Sequence, residues 1–240
     1  LKEFVRDLDV VILAGGLATR LNNLLADTPK ILAPIHGMTF FDLHIKWLES
    51  VGVSRVILCL GHLHEKVLFH VSTQSKKSIS IETSIEPEPL GTAGAIRNAS
   101  HLIKRKRVLV MNGDTWLDTN LVDFFEAHII SCAEISILCV AVSDASSSAK
   151  ININDTNMVS EYEEKNGTKH SPGLISAGIY MFSASGMKKL LNSNGASLEY
   201  DFFQKLPKNF VHGYNVGSVD FIDIGTPDSF KKMADILPSP

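Results

Sequence analysis

The feature that most restricts the fold of this chain is a series of short apolar runs in its first half. Val10-Val11-Ile12-Leu13-Ala14, Arg55 to Leu60 (RVILCL) and Arg107 to Met111 (RVLVM) are too short for buried helices and lack alternating polar residues. Such runs suit strands buried on both faces of a parallel sheet. Between them the hydrophobic period changes. Phe40, Phe41, Leu43, His44, Trp47 and Leu48 recur at helical spacing, and Gly52 closes that segment. Residues 65–71 and 91–103 also read as helices, and 79–85 as a further strand. Strand, helix, strand at this spacing means βαβ units with right-handed crossovers. Ligands of such sheets sit beyond the carboxyl ends of the strands. Two of those ends carry unusual residues, Gly15-Gly16 after the first strand and Asn112-Gly113-Asp114 after the fourth.

The second half is richer in strand patterns, at 135–142, 151–153, 158–162, 175–182 and 211–222. Polar, turn-rich loops are expected at 143–148 and 165–172, and helices at 184–192, 198–206 and 227–237. The expected architecture is a Rossmann-like α/β domain over residues 1–240, with a mixed, mainly parallel sheet flanked by helices. Residues 9–130 would form the half that carries the glycine-rich loop, and the more β-rich residues 131–240 a second half that completes a cleft.

The loop Leu13-Ala14-Gly15-Gly16-Leu17-Ala18-Thr19-Arg20 has the chemistry of an anion site. Paired glycines let backbone N–H groups approach a phosphate, Thr19 offers a hydroxyl and Arg20 a fixed guanidinium fork. Lys30 follows ten residues later, flanked by Pro29 and Pro34. The alternative for the same residues is a tight strand-to-helix turn with a solvated Arg. A P-loop is excluded because no GxxxxGK[ST] is present. A dinucleotide fingerprint is disfavoured because Ala18 and Leu21 stand where glycines would be needed. Asp114 and Asp223 each follow an apolar strand, which suits magnesium ligands and equally suits turn formation. Glu86 and Glu88 are either ligand contacts or solvated, and residues 161–165 read otherwise as an exposed charged hairpin.

These segments resemble the sugar-1-phosphate nucleotidyltransferases. The resemblance runs through LAGGLATRL, Lys30, APIHGMTFFD, Glu88 to Ile96 (EPLGTAGAI), VMNGDT, Glu163-Glu164-Lys165, SAGIY and FIDIGTP, in that family's order and over most of the chain. The branch that it most resembles is that of the D-glycero-α-D-manno-heptose-1-phosphate and mannose-1-phosphate guanylyltransferases. Ser197 to Phe202 (SLEYDF) is similar to the heptose enzymes.

The resemblance implies transfer of a nucleotidyl group from a nucleoside triphosphate, GTP favoured, to a heptose- or mannose-type sugar 1-phosphate. CTP or UTP with another sugar phosphate, and a non-catalytic nucleotide-sugar-binding subunit, are the alternatives. It implies catalytic roles for Arg20, Lys30 and Asp114, and Mg2+ held by Asp114 and Asp223. It assigns the nucleotide to Leu13, Ala14, Gly15, Gly16, Thr19, Arg20, Glu86, Leu90, Gly91 and Thr92. It assigns the sugar phosphate to Glu164, Lys165, Gly178 and Glu199. Ala18 and Ile31 depart from the family's usual Gly and Pro. An Ala at a position of positive φ costs about 1 kcal/mol.

Bulk properties bound the remaining classes. Hydrophobic residues make up 45%, charged residues 20%, and the formal net charge is -3, so a nucleic-acid partner is not expected. No apolar run reaches membrane-spanning length, and residues 1–4 do not read as a signal peptide, so a cytoplasmic location is expected by default; the resemblance implies an enzyme of sugar-nucleotide and cell-surface polysaccharide synthesis. The chain begins without Met, which leaves room for a fusion partner upstream, and a homo-oligomer is equally open. Cys59, Cys132 and Cys139 lack CxxC spacing and read as buried free thiols. His62, His64 and His70 do not share a helical face, so a zinc site is not expected.

Overall fold

A computed structural model describes residues 2–16, 21–25, 27–73, 78–146, 148–163 and 170–236. Leu17, Ala18, Thr19 and Arg20 of the first loop, and Glu164 and Lys165, lie outside the described residues. The first half runs α1 (Lys2–Arg6), β1 (Leu8–Ala14), α2 (Asn22–Leu25), a 3-10 turn (Lys30–Leu32), β2 (Pro34–Ile35), β3 (Met38–Thr39) and α3 (Phe40–Ser50). It continues with β4 (Arg55–Leu60), α4 (His64–Thr73), β5 (Ser80–Ile85), α5 (Gly91–Asn98), β6 (Arg107–Asn112), β7 (Thr115–Leu117) and α6 (Leu121–Ser131). The second half holds β8 (Ile135–Val142), β9 (Lys150–Ile153), β10 (Val159–Glu163), β11 (Gly173–Phe182), α7 (Ala184–Leu191), β12 (His212–Asn215), β13 (Phe221–Asp223) and α8 (Pro227–Ile236).

Nine strands form one mixed sheet, in the order β10-β9-β11-β6-β1-β4-β5, with β8 and then β12 added beside β11. Its β6-β1-β4-β5 portion is parallel, as the unbroken apolar runs require. Val10 and Ile12 face one core cluster while Val11 faces another. Leu58 and Ile57 divide in the same way, as do Leu109 and Val110. Both faces of these strands are therefore buried, which removes any place for alternating polar residues. β11 runs antiparallel to β6 and β8, with a bulge between Ser176 and Ile179. A third cluster, including Leu21, Phe40, Trp116, Ile222 and Ile224, packs beneath the separate β7–β13 pair.

Local chemistry sets the boundaries. α3 begins with a capping box, in which Asp42 N–H donates to Thr39 Oγ1 at 3.2 Å and Thr39 N–H to Asp42 Oδ2 at 3.1 Å. α5 stops at Asn98 and tightens into a 3-10 turn over Ala99–Leu102, short of the expected single helix over 91–103. The expected helix over 198–206 is a π turn (Leu198–Phe202) followed by a 3-10 turn (Phe203–Lys205). The expected strand over 211–222 is two strands in different sheets. The break comes at Gly217, where φ is +82° and Asn215 Oδ1 accepts the Gly217 N–H at 2.9 Å. Cys59 and Cys139 are buried, but Cys132 is exposed, because it takes the left-handed position that ends α6, at φ 51°.

Candidate active site

The carboxyl ends of β1 and β6 meet side by side. Leu13 is in register with Asn112, and Gly113 N–H donates to the Leu13 carbonyl at 2.8 Å. A Cβ on Gly113 would lie 2.9 Å from that carbonyl oxygen, so only glycine lets the chain pass over the end of β1 on its way to Asp114. Beneath this crossing lies Ile31, 2% exposed, whose Cδ1 would stand 3.2 Å from the same added Cβ. The residue where the family usually has Pro is here part of the core.

On the other side of β1, Gly15 makes room for Glu86. A Cβ on Gly15 would lie 2.3 Å from Glu86 Oε1. The other carboxylate oxygen, Oε2, accepts the Leu90 N–H at 2.9 Å. Glu86 is thus half-buried and hydrogen-bonded, whereas Glu88 is exposed. Gly91 takes φ +73°, a conformation that favours glycine, and a Cβ there would meet the Ala196 carbonyl at 2.6 Å. A cavity of about 400 Å³ opens here, lined by Leu13, Gly15, Gly16, Glu86, Pro89, Gly91, Thr92, Ala95, Asn112 and Asp114. Nothing lies within 4 Å of a Cβ added to Gly16, which is exposed.

Lys30 reaches the site from its 3-10 turn. Its Nζ donates to Asp114 Oδ2 at 2.9 Å, across 84 positions of sequence, with side-chain exposures of 19% and 31%. Asp223 arrives by a different route. β13 pairs with β7 so that Asp223 is in register with Thr115, and Ile224 N–H donates to the Asp114 carbonyl at 2.9 Å. The two carboxylates therefore belong to adjacent strand positions. Asp223 is exposed, and its Oδ1 accepts the Gly225 N–H at 2.7 Å, so it shapes the following turn as well. Two hard oxygen donors on neighbouring segments have the ligand chemistry of a divalent cation that takes its other ligands from phosphates and water. His44 supports this floor from below. It is fully buried, its Nε2 is 2.9 Å from the Thr115 carbonyl, and burial pushes its pKa down.

Gly178 and Glu199 lie at the two ends of one hydrogen-bonded chain. Gly178 sits in the β11 bulge at φ +73°, and a Cβ there would meet Asn112 Nδ2 at 2.6 Å and Thr115 Oγ1 at 3.0 Å. Its N–H donates to Ser176 Oγ at 3.1 Å, and Ser176 Oγ donates to the Tyr180 hydroxyl, also at 3.1 Å. Tyr180 is buried, hydrogen-bonds Glu199, and has its pKa raised by burial. Ser176, Tyr180 and Glu199 line a small cavity with Tyr162, Phe203 and Gln204. A further cavity of about 260 Å³ lies behind Tyr162, between β10 and residues 203–208, away from the strand ends.

Asn112, which the sequence marks only as part of the Asn112-Gly113-Asp114 strand end and to which it assigns no ligand, lines the cavity over Gly15-Gly16 and abuts Gly178. Its position inside Asn112-Gly113-Asp114 was the signal available. Pro89 and Ala95 were missed in the same way.

With this geometry in place, comparison with known proteins decides the family. The nucleotidyl transferase family profile matches residues 9–239. The chain belongs to the nucleotidyl transferase family. It is 33% identical over 227 residues to the D-glycero-alpha-D-manno-heptose 1-phosphate guanylyltransferase of Aneurinibacillus thermoaerophilus, covering 94% of this chain and 96% of the relative. The enzyme of the same name from Campylobacter jejuni is 30% identical, covering 93% and 97%. The Mycobacterium tuberculosis mannose-1-phosphate guanylyltransferase is 28% identical, covering 97% of this chain and 66% of its own length. Among solved structures, HddC from Yersinia pseudotuberculosis superposes with a TM-score of 0.82 at 31% identity, covering 95% of this chain and 98% of that one. HddC complexed with GMP-PN gives 0.81 at 32% identity, with the same coverage. The mixed sheet flanked by helices is the fold of these nucleotidyltransferases. No helix of the described residues is long and apolar enough to cross a membrane.

Proposed function

We propose that the protein is a sugar-1-phosphate guanylyltransferase. It joins GTP to a heptose- or mannose-type 1-phosphate and releases pyrophosphate. The observation that carries this reading is the Lys30–Asp114 pair, 2.9 Å apart, with Asp114 in the wall of the cavity over Gly15-Gly16. The names of the relatives and the GMP-PN complex of HddC support guanosine and these two sugar classes.

In the reaction, a phosphate oxygen of the sugar 1-phosphate attacks the α-phosphorus of the triphosphate. A P–O bond forms, the bond between the α- and β-phosphates breaks, and pyrophosphate leaves with the electron pair. The attacking oxygen is already anionic, so no general base is required. The protein's work is positioning and neutralisation of charge. Lys30 neutralises charge that develops on the α-phosphate. Asp114 and Asp223 hold Mg2+, which when bound neutralises the triphosphate. Backbone N–H groups at Gly15 and Gly16, with Thr19 and Arg20, hold the phosphates. Leu13, Ala14, Glu86, Leu90, Gly91 and Thr92 hold the nucleoside. Glu164, Lys165, Gly178 and Glu199 receive the sugar phosphate.

Pyrophosphate release tests this directly. The protein is incubated with Mg2+, each of the four nucleoside triphosphates, and D-glycero-α-D-manno-heptose 1-phosphate or mannose 1-phosphate. Turnover is expected with GTP and to cease on chelation of the metal. Release of no pyrophosphate with any pair would remove the enzymatic reading.

A further inference from the structure

The loop that enters α5 is tied to a turn from near the end of the chain. Ala93 N–H donates to the Ala196 carbonyl at 2.8 Å, and Leu198 N–H donates to Thr92 Oγ1 at 2.8 Å. The Arg97 guanidinium donates to the Gly195 carbonyl. The absence of a Cβ at Gly91 is what lets Ala196 approach. The turn is also braced from within. Asp201 Oδ2 accepts the N–H groups of Ala196 and Ser197, both at 2.9 Å, and Ser197 Oγ accepts the Tyr200 N–H at 3.1 Å. Glu199 lies on this braced turn and lines the cavity of Ser176 and Tyr180, while Gly91 and Thr92 line the cavity over Gly15-Gly16.

We propose that Thr92 is a positioning residue for the sugar phosphate: its hydroxyl holds the turn that carries Glu199, so the nucleotide wall and the sugar wall form one rigid unit. The proposal rests on the guanylyltransferase reading above. The hydroxyl serves Leu198 as an acceptor and keeps its own proton for another partner. A ligand that packs against Gly91 and Thr92 therefore also restrains the turn of Glu199. Recognition of the two substrates becomes coupled through a tie, of which the Thr92–Leu198 bond is one member, that touches neither reacting atom.

The test uses Thr92→Val, which keeps the shape and removes the acceptor, and Thr92→Ser, which keeps the acceptor. Amide hydrogen exchange of residues 196–198, the affinity for a non-hydrolysable GTP analogue, and the KM for the sugar 1-phosphate are measured on each. Loss of one neutral hydrogen bond corresponds to about fivefold in an equilibrium constant. Thr92→Val is expected to speed exchange of these amides about fivefold and to raise the sugar-phosphate KM about fivefold; because Thr92 also lines the nucleotide cavity, analogue affinity is read in Asp201→Ala, where it should hold within about twofold. Thr92→Ser restores both. Asp201→Ala, which loosens the turn from its other side, reproduces the KM effect. The idea is overturned if Thr92→Val leaves exchange unchanged, or if Asp201→Ala weakens the analogue as much as the sugar phosphate. Exchange in the free protein needs no turnover. Faster exchange in Thr92→Val with no substrate pair consumed would therefore sink the enzymatic reading and leave the tie standing.

Discussion

Gly15→Ala is a sharp probe of the nucleotide wall, because its effect is transmitted through a single side chain. The added methyl would lie 2.3 Å from Glu86 Oε1 and 3.1 Å from Glu86 Cδ. The nearest backbone atom, Gly61 N, is 3.5 Å away, at ordinary contact distance. The obstacle is the end of a flexible side chain, so the carboxylate swings aside at little steric cost. What is lost is its 2.9 Å bond to the Leu90 N–H, the bond that holds the loop into α5. A hydrogen bond to a charged group contributes about 1.5–3 kcal/mol, and half-burial of Glu86 places this one at the low end. Gly15→Ala is therefore expected to weaken a GTP analogue about tenfold by calorimetry and to lower Tm by about 3 °C. Glu86→Ala alone removes the same bond. In the double variant the methyl meets no carboxylate, so Gly15→Ala should add almost nothing on the Glu86→Ala background. An equal loss on both backgrounds would refute the reasoning, because the methyl would then be acting directly on the ligand or the backbone.

Three further outcomes are expected. Lys30→Met should lower kcat at least about 100-fold, the scale seen when a charge-stabilising donor is removed. Its thermal melt should stay near that of the parent, because Lys30 and Asp114 are both partly solvated. Among the cysteines, Cys132 should react rapidly with a disulfide reagent at pH 8, while Cys59 and Cys139, buried and pushed up to about 12, react only on unfolding. Burial holds His128 down at about 4, with the charges of His212 and Arg107 acting in the same sense. The folded state then binds fewer protons than the unfolded state between about pH 4 and 6.5, so stability falls as pH drops through that window, by at most roughly 3 kcal/mol from this group. Urea melts across the window should show the slope. His128→Leu should flatten it and also lower stability at neutral pH, because Ser136 Oγ loses its partner at 2.8 Å.

The parallel core was legible because its physics is local. Strands buried on both faces must be apolar along their middles, and β1, β4 and β6 are apolar apart from Asp9, Arg55, Arg107 and Asn112 at or next to their ends. α6 escaped notice although Leu121, Phe124, Phe125 and His128 are buried at helical spacing behind an Asn120 cap that accepts the Val122 N–H at 3.1 Å. Its stop signal is Cys132 in a left-handed conformation, where glycine is the usual mark. β7 and β13 are three residues each and exist only through their mutual pairing, a contact between positions over 100 apart that no local period announces. The ion pair of Asp9 with Arg55 was hidden for the same reason. Asp9 is fully buried and accepts the N–H groups of Lys104 at 2.7 Å and Arg105 at 2.9 Å.

At the site, residue identities were readable and their sharing of partners was not. Lys30 and Asp114 were each given a role, but nothing in the chain order tells that they bond to one another. Nor does it tell that Thr92 spends an acceptor on Leu198 or that Glu86 closes its own loop. The consequence is electrostatic. The described charged side chains that line the cavity over Gly15-Gly16 are Glu86 and Asp114, with Lys30 bonded to Asp114 and Asp223 on the strand position beside it: three carboxylates and one ammonium. Those four described groups alone repel a triphosphate. Lys30 cannot correct it, because its charge is already directed at Asp114. The attraction is therefore assigned to cations beyond these four groups. Arg20 and Lys165 are the chain's own candidates. A divalent cation on Asp114 and Asp223 is the other, since it would turn the two repelling carboxylates into a phosphate-binding face and release Lys30 toward the α-phosphate.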